Sequence, residues 1–371
     1  WFGSLMQFGG LAIMPFALII LSGDITNGPA WVGPLATAIA FLLVGAGLHT
    51  TQTAGLALAT DLATEESRPR VVALLYVMLL VGMLISAVII GLALADFSQL
   101  KLIRVVQGAA ILTMVLNMIA LWRMEARSPQ ATRPDRDRPA FSDAWAAFMR
   151  GGRPARLLVA TGLGAGAFAM QDVLLEPYGG EVLGLSVAGT TVLTALWAAG
   201  ALVGFALAAR GLTTGRDPHR LAAYGMVIGV FAFAAVILSD PLGSPVLFRA
   251  GALLIGLGGG LFAVGTLTAA MELGSAGGAG LALGAWGAVQ ATATGVAVAL
   301  GGTLRDGADA LAQSGQLGPA LDTPATGYSI VYHLEIALLF AALAAIGPLA
   351  RHAGGRPERA PGKFGIAEFP G

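Results

Sequence analysis

Apolar residues fall in ten long stretches, at roughly 1–22, 31–60, 70–95, 101–122, 154–175, 185–210, 221–239, 246–271, 280–302 and 327–350. Short clusters of charged and turn-forming residues separate them. Most stretches reach the ~20 residues that carry a helix across a hydrocarbon core of ~30 Å. Lipid offers no partner to a backbone N–H or C=O, so each stretch is expected to pair these groups internally as an α-helix. The pattern predicts an all-α polytopic membrane protein with ten transmembrane helices.

The polar positions between the stretches give an orientation. Arg68 and Arg70 follow the second stretch, and Arg123, Arg127, Arg133, Arg136, Arg138, Arg150, Arg153 and Arg156 follow the fourth. Arg210, Arg216 and Arg220 follow the sixth, while Arg351, Arg356, Arg359 and Lys363 lie in the tail. If each stretch crosses once, these all lie on one side, leaving only Lys101, Arg104, Arg249 and Arg305 with the opposite loops. Positive residues stay cytoplasmic, so that side and both observed chain ends are expected to face the cytoplasm.

Composition strengthens this reading. The chain is 56% hydrophobic and 11% charged, with a mean hydropathy of +0.78. Soluble domains carry about 25% charged residues. With no cysteine, disulfides, thiolate metal sites and a cysteine nucleophile are excluded. The formal net charge of +0 conceals the one-sided basic distribution, which suits anionic lipid headgroups and implies no nucleic acid.

Four stretches precede the basic connection and six follow it. Many transporter folds join two six-helix halves through one cytoplasmic linker, with weak symmetry between the halves. The chain also opens on Trp1 rather than Met, so about two helices are expected upstream of it, each of ~20 residues. The expected organisation is a four-helix N-terminal half-bundle (1–122), a cytoplasmic linker (123–153), a six-helix bundle (154–350) and a cytoplasmic tail (351–371). Gly45-Ala46-Gly47-Leu48-His49, running on to Asp61, pairs with Gly258-Gly259-Gly260-Leu261-Phe262, running on to Glu272, six stretches later. Within the linker, 126–140 mixes charge with proline and is expected to be flexible. Phe141, Trp145, Phe148 and Met149 follow at helical spacing, which predicts a short amphipathic helix at the membrane surface or against the bundle base. The 53 glycines suit close helix packing, and Trp31 and Trp122 sit where interfacial anchors belong.

Polar residues inside apolar stretches carry the candidate chemistry, because burying them is costly. The densest run is His49-Thr50-Thr51-Gln52-Thr53. A neutral imidazole there can ligate a metal, the magnesium of a chlorophyll-type pigment included, relay protons, or simply bond a neighbouring helix. Asp172 and Glu176, with Gln171 beside them, are expected as an i,i+4 pair that lines a cavity, binds a cation or marks a solvated helix end. His333 and Glu335 near the start of the last stretch, and Gln290, Thr292 and Thr294 in the ninth, are further cavity or ion-coupling candidates. No residue is assigned a catalytic role and no metal site is expected. The sequence has no Gly-x-x-x-x-Gly-Lys-Ser/Thr loop, no His-Glu-x-x-His and no paired Asp-rich motif for a magnesium diphosphate, so an enzyme is not expected.

One part of the chain carries a resemblance. His49-Thr-Thr-Gln-Thr-Ala-Gly-Leu-Ala-Leu-Ala-Thr-Asp61-Leu62, followed by Arg68-Pro69-Arg70-Val71-Val72-Ala73-Leu74-Leu75-Tyr76-Val77-Met78, resembles the PucC/LhaA family. These are light-harvesting assembly proteins, also described as the bacteriochlorophyll-delivery branch of the major facilitator superfamily. The tail Phe364-Gly365-Ile366-Ala367-Glu368-Phe369-Pro370-Gly371 is similar to that family's C-terminal end. The resemblance implies a twelve-helix major facilitator fold in the intracytoplasmic (chromatophore) membrane. It implies assembly of light-harvesting complex 1 or 2 (LH1 or LH2). The implied partners are the antenna α and β polypeptides and the reaction centre–LH1 complex. Bacteriochlorophyll a is the implied pigment, with carotenoid as a second candidate, and the polar run already singled out supplies the candidate pigment-binding residues His49, Thr50, Gln52 and Thr53. Some members have carried a bacteriochlorophyll synthase name, which the missing diphosphate motifs do not support as chemistry.

The chain departs from ordinary facilitators at two places. Gly211-Leu-Thr-Thr-Gly215-Arg216-Asp217-Pro218-His219-Arg220 keeps glycine, acid and base of the usual inter-helix motif in altered register. Residues 81–96 lack the Gly/Pro-rich antiporter pattern. Both departures suit a scaffold or a carrier of lipid-like ligands. The competing expectation is a secondary transporter of a small amphipathic solute or pigment precursor.

Overall fold

The structure, a computed structural model, describes residues 1–23, 29, 31–64, 67–93, 98–122, 140–150, 152–274 and 279–352. Linker residues 126–139 and the tail similarity at 364–371 lie outside the described residues. So do the side chains of Asp61, Arg68, Pro69 and Tyr76.

Helices account for every apolar stretch. They are α1 (Phe2–Leu21), α2 (Val32–Leu62), α3 (Arg68–Ala93), α4 (Gln99–Leu121), α5 (Phe141–Met149) and α6 (Arg153–Ala169). After a 3-10 turn at Met170–Val173 come α7 (Leu175–Glu181), α8 (Val187–Thr213), α9 (Pro218–Ser239), α10 (Pro245–Gly274), α11 (Ala279–Gln313) and α12 (Thr326–His352). No strand occurs among the described residues. Their long apolar helices make this a multi-pass membrane protein. The short helix α5 forms where the spacing of Phe141 and Trp145 places it. These two rings stack at 6.1 Å, and no residue of α5 is buried.

By contact density the chain divides into two units, Trp1–Leu58 with Val81–Trp145, and Ala59–Leu80 with Ala146–Gly371. In the first, α1 packs on α2 through glycine. A Cβ at Gly47 would press into the Gln7 backbone, and one at Gly10 into Val44. Thr37 donates to the Ala17 carbonyl at 3.1 Å, and Asn117 of α4 donates to Ser4 of α1 at 3.1 Å. Internal polar pairs of this kind hold helices together where the surroundings offer no hydrophobic drive.

In the second unit α10 is central, packing against α8, α9, α11 and α6. Its glycines set the separation. A Cβ at Gly256 would collide with the Trp197 carbonyl of α8, and one at Gly258 with the Gly225 carbonyl of α9. Around this centre Phe233, Phe248, Leu193, Met226, Leu267 and Trp286 are buried. Trp31 and Trp122, in contrast, are 63% and 78% exposed at helix ends, as interfacial residues should be.

Two boundaries differ from the sequence expectation. The fifth stretch does not continue as one helix through Glu176; it breaks at the 3-10 turn and resumes as α7. Pro177 explains the break. It has no N–H to give to Val173, and its ring crowds that carbonyl. The ninth stretch, expected to end near 302, extends as α11 to Gln313. The polar residues that seemed to close it lie on the helix itself.

Candidate functional site

The polar run of α2 sits in the first unit. Thr50 and Thr51 turn their hydroxyls back onto the Ala46 and Gly47 carbonyls, at 2.7 and 3.0 Å. They are spent on their own helix. His49, Gln52 and Thr53 lie three and four residues apart and so share one face. Each is half-buried and makes no hydrogen bond among the described residues. That leaves an imidazole, an amide and a hydroxyl available side by side.

The break in the second unit separates Asp172 from Glu176. The expected i,i+4 pair is not formed, because the two residues belong to different helical segments. Asp172, in the 3-10 turn, accepts from Gln171 Nε2 at 2.5 Å, and Gln171 also donates to the Phe168 carbonyl at 3.3 Å. Glu176 accepts from Thr194 of α8 at 2.5 Å. Both carboxylates are exposed, whereas Gln171 is buried. On α12 the two candidates also part. His333 is exposed and bonds the Ser329 carbonyl of its own helix at 2.7 Å. Glu335, two positions on and therefore about 200° around the helix, is completely buried. Gln290 on α11 is half-buried without a hydrogen bond among the described residues, Thr292 is exposed and Thr294 is half-buried.

A denser network lies one end further along, and its residues were not among the sequence candidates. Arg305 of α11 pairs with Glu181 of α7 at 2.5 Å, Asp306 at 3.0 Å and Asp309 at 3.1 Å. The Tyr328 hydroxyl of α12 donates to Glu181 at 2.7 Å, and Arg305 lies 4.6 Å from the centre of the Tyr328 ring. Asp309 also accepts from the Gly327 backbone N–H at 2.9 Å. The network therefore ties α7, α11 and α12 at one point. Beside it opens a cavity of about 250 Å³ lined by Glu181, Arg305, Asp309, Asp322, Thr323 and Pro324. Below it Tyr178 packs its ring against Phe248, Tyr328 and Tyr332 at 5.2, 5.3 and 5.6 Å. One sequence signal was present: Arg305 and Asp309 stand four apart, and Arg305 is among the few basic residues outside the group that the charge pattern expects on the cytoplasmic side.

Among the described residues no group of three or more His, Cys, Asp and Glu is arranged to hold a metal ion. The arrangement can instead place one enclosed carboxyl, one ionic tie and one open polar face. Against known proteins, the model of a family described as PUCC protein matches residues 1–354. The chain belongs to the PUCC protein family. It is 56% identical over 375 residues to an "Uncharacterized protein in puhA-bchM intergenic region" of Rhodobacter capsulatus, covering 100% of this chain and 78% of that one. It is 55% identical over 311 residues to "Protein PucC" of Rhodovulum sulfidophilum, covering 82% and 68%. Among solved structures, a Major Facilitator Superfamily transporter, FucP, in the outward conformation matches with a TM-score of 0.62 at 16% identity, covering 95% of this chain and 83% of that one. This PUCC family member therefore has the major facilitator fold.

Proposed function

We propose that this chain assembles bacterial light-harvesting antenna, LH1 or LH2, by handling bacteriochlorophyll a, the antenna α and β polypeptides, or both. The observation that carries the reading is membership of the PUCC family over 1–354. The role is non-enzymatic, and carotenoid and the reaction centre–LH1 complex are further expected ligands and partners. On this reading the protein lies in the intracytoplasmic extension of the inner membrane, with its basic side in the cytoplasm. The face of α2 shared by His49, Gln52 and Thr53 supports pigment handling. An imidazole not committed to another residue is the side chain that ligates a chlorophyll magnesium, and a nearby amide and hydroxyl can meet carbonyl groups of a macrocycle.

The test is gentle solubilisation of the native complex from a phototrophic membrane, with its absorption spectrum and subunit composition recorded. Bacteriochlorophyll and an antenna α polypeptide should copurify, and His49→Ala should lower the pigment content while the variant stays folded. A pigment-free preparation with no antenna polypeptide sinks the reading. A second reading, secondary transport of a small amphipathic solute, is favoured by the fold shared with FucP and by the enclosed Glu335. Solute uptake into proteoliposomes would support it.

A further inference from the structure

Glu335 is the one fully buried carboxylic side chain among the described residues, and no side chain there hydrogen-bonds to either of its oxygens. The groups that face it are few. The 3-10 turn presents the Gln171 backbone N–H and Asp172. One turn earlier on α12, the Tyr332 hydroxyl is likewise buried without a partner. From α7, Tyr178 lies edge-on to the Tyr332 ring. Helix α9 meets this stretch with Phe233, stacked on Tyr332 at 6.2 Å, and with Gly229 beside Leu339, so no titratable side chain comes from it here. Its His219, Arg220 and Tyr224 lie toward its other end. On α11, Arg305, Asp306 and Asp309 cluster at the level of Tyr328, about two turns away, and Arg305 is already shared among three carboxylates. Helix α6 carries its arginines, Arg153 and Arg156, in its first turn.

Among the described residues, therefore, no cation stands opposite Glu335. A bound metal would need several oxygen ligands, and none are gathered here. The ligand that a solitary enclosed carboxyl takes is a proton. We propose that Glu335 is a proton-exchange site of the six-helix bundle, one that releases its proton only when the Met170–Val173 turn separates from α12. On release the carboxyl O–H bond breaks and the proton passes to water, entering past Asp172 on the accessible side of the turn. An unpaired carboxylate in dry packing is costly, so water must arrive with the loss of the proton. The turn is suited to move as a piece. Gln171 links Phe168 to Asp172, 3-10 geometry is weaker than α, and α11 meets the Met170 carbonyl at a glycine, Gly301. This inference goes beyond antenna assembly and does not rest on it.

The experiment uses the full chain in lipid nanodiscs, treated with dicyclohexylcarbodiimide across about pH 5 to 9. A protonated acid adds across the carbodiimide and rearranges to a stable N-acylurea, which peptide mass spectrometry locates. The adduct is expected at Glu335, with yield falling about tenfold per pH unit above its titration midpoint. Because the chain has no cysteine, a single Met170→Cys thiol in the turn, buried while the turn is closed, reports opening. Its alkylation, corrected for the pH dependence of the thiol on an unfolded peptide, should rise over the same range and stay constant when Glu335→Gln is added. No adduct at Glu335, an adduct independent of pH, or an alkylation profile unchanged by Glu335→Gln overturns the proposal. The labelling of the unsubstituted chain stands even if Glu335→Gln fails to fold.

Discussion

Arg305 faces three carboxylates and a tyrosine, and only part of that surplus can contribute to stability. Its side chain is 25% exposed and that of Glu181 52%, so solvent screens the pair and the interaction is worth about 1 kcal/mol rather than several. Because Tyr328 and Asp309 share the same network, removing either partner should also disturb the other contacts. In a double-mutant cycle, Arg305→Gln and Glu181→Gln should therefore be non-additive, with a coupling of about 1 kcal/mol in thermal unfolding, weaker in high salt. Strict additivity would show that the two charges do not support one another. Much of this network was legible as residue types but not as a site. Arg305 and Asp309 announce themselves by spacing, yet Glu181 joins them from 124 residues away, a pairing that only the folded α7 supplies. The reverse holds at His333 and Glu335. The sequence gives both as polar residues in one apolar stretch, and helical geometry then sends one outward and the other into the core.

At the scale of elements, the helices follow directly from the apolar stretches, because lipid leaves the backbone no alternative. What the pattern did not convey was their interruptions and ends. Pro177 held the information needed to break the fifth stretch, but its effect falls four residues upstream, at Val173, where the side chains look uniformly helical. Helix α11 outlasts its apolar stretch because Arg305 and Asp309 find partners on α7 and α12, so polar residues continue it. The glycines are more directly informative. Gly256 and Gly200 face each other's helices, with the Trp197 and Leu253 carbonyls occupying the space a Cβ would need. Gly256→Val should therefore force α8 and α10 apart and cost at least about 1–3 kcal/mol, seen as a lower unfolding temperature and reduced yield. Gly280→Ala, where no atom lies within 4 Å, is the matched control and should be tolerated. Equal losses in both variants would mean that the helix contact is not what the glycine protects.

At the scale of the whole molecule, the charge pattern makes a claim that the helices alone cannot. The crossings fix which loops share a side, whereas the arginines carry the expectation of which side faces the cell interior. The second unit offers a clean comparison. Thr214 follows α8, beside Arg210 and Arg216, and Ser314 follows α11; both are exposed, and α9, α10 and α11 lie between them. Each of those three helices is long and apolar enough to cross a membrane, so the two positions must lie on opposite faces. With no native cysteine, Thr214→Cys and Ser314→Cys each provide a single thiol. A membrane-impermeant maleimide added to intact spheroplasts should modify Ser314→Cys at once and Thr214→Cys only after lysis. The opposite order would leave the crossings intact but invert the protein, placing the basic loops away from the anionic cytoplasmic leaflet. Modification of both from outside would instead mean that an even number of helices separates them, and that one of α9, α10 or α11 does not span.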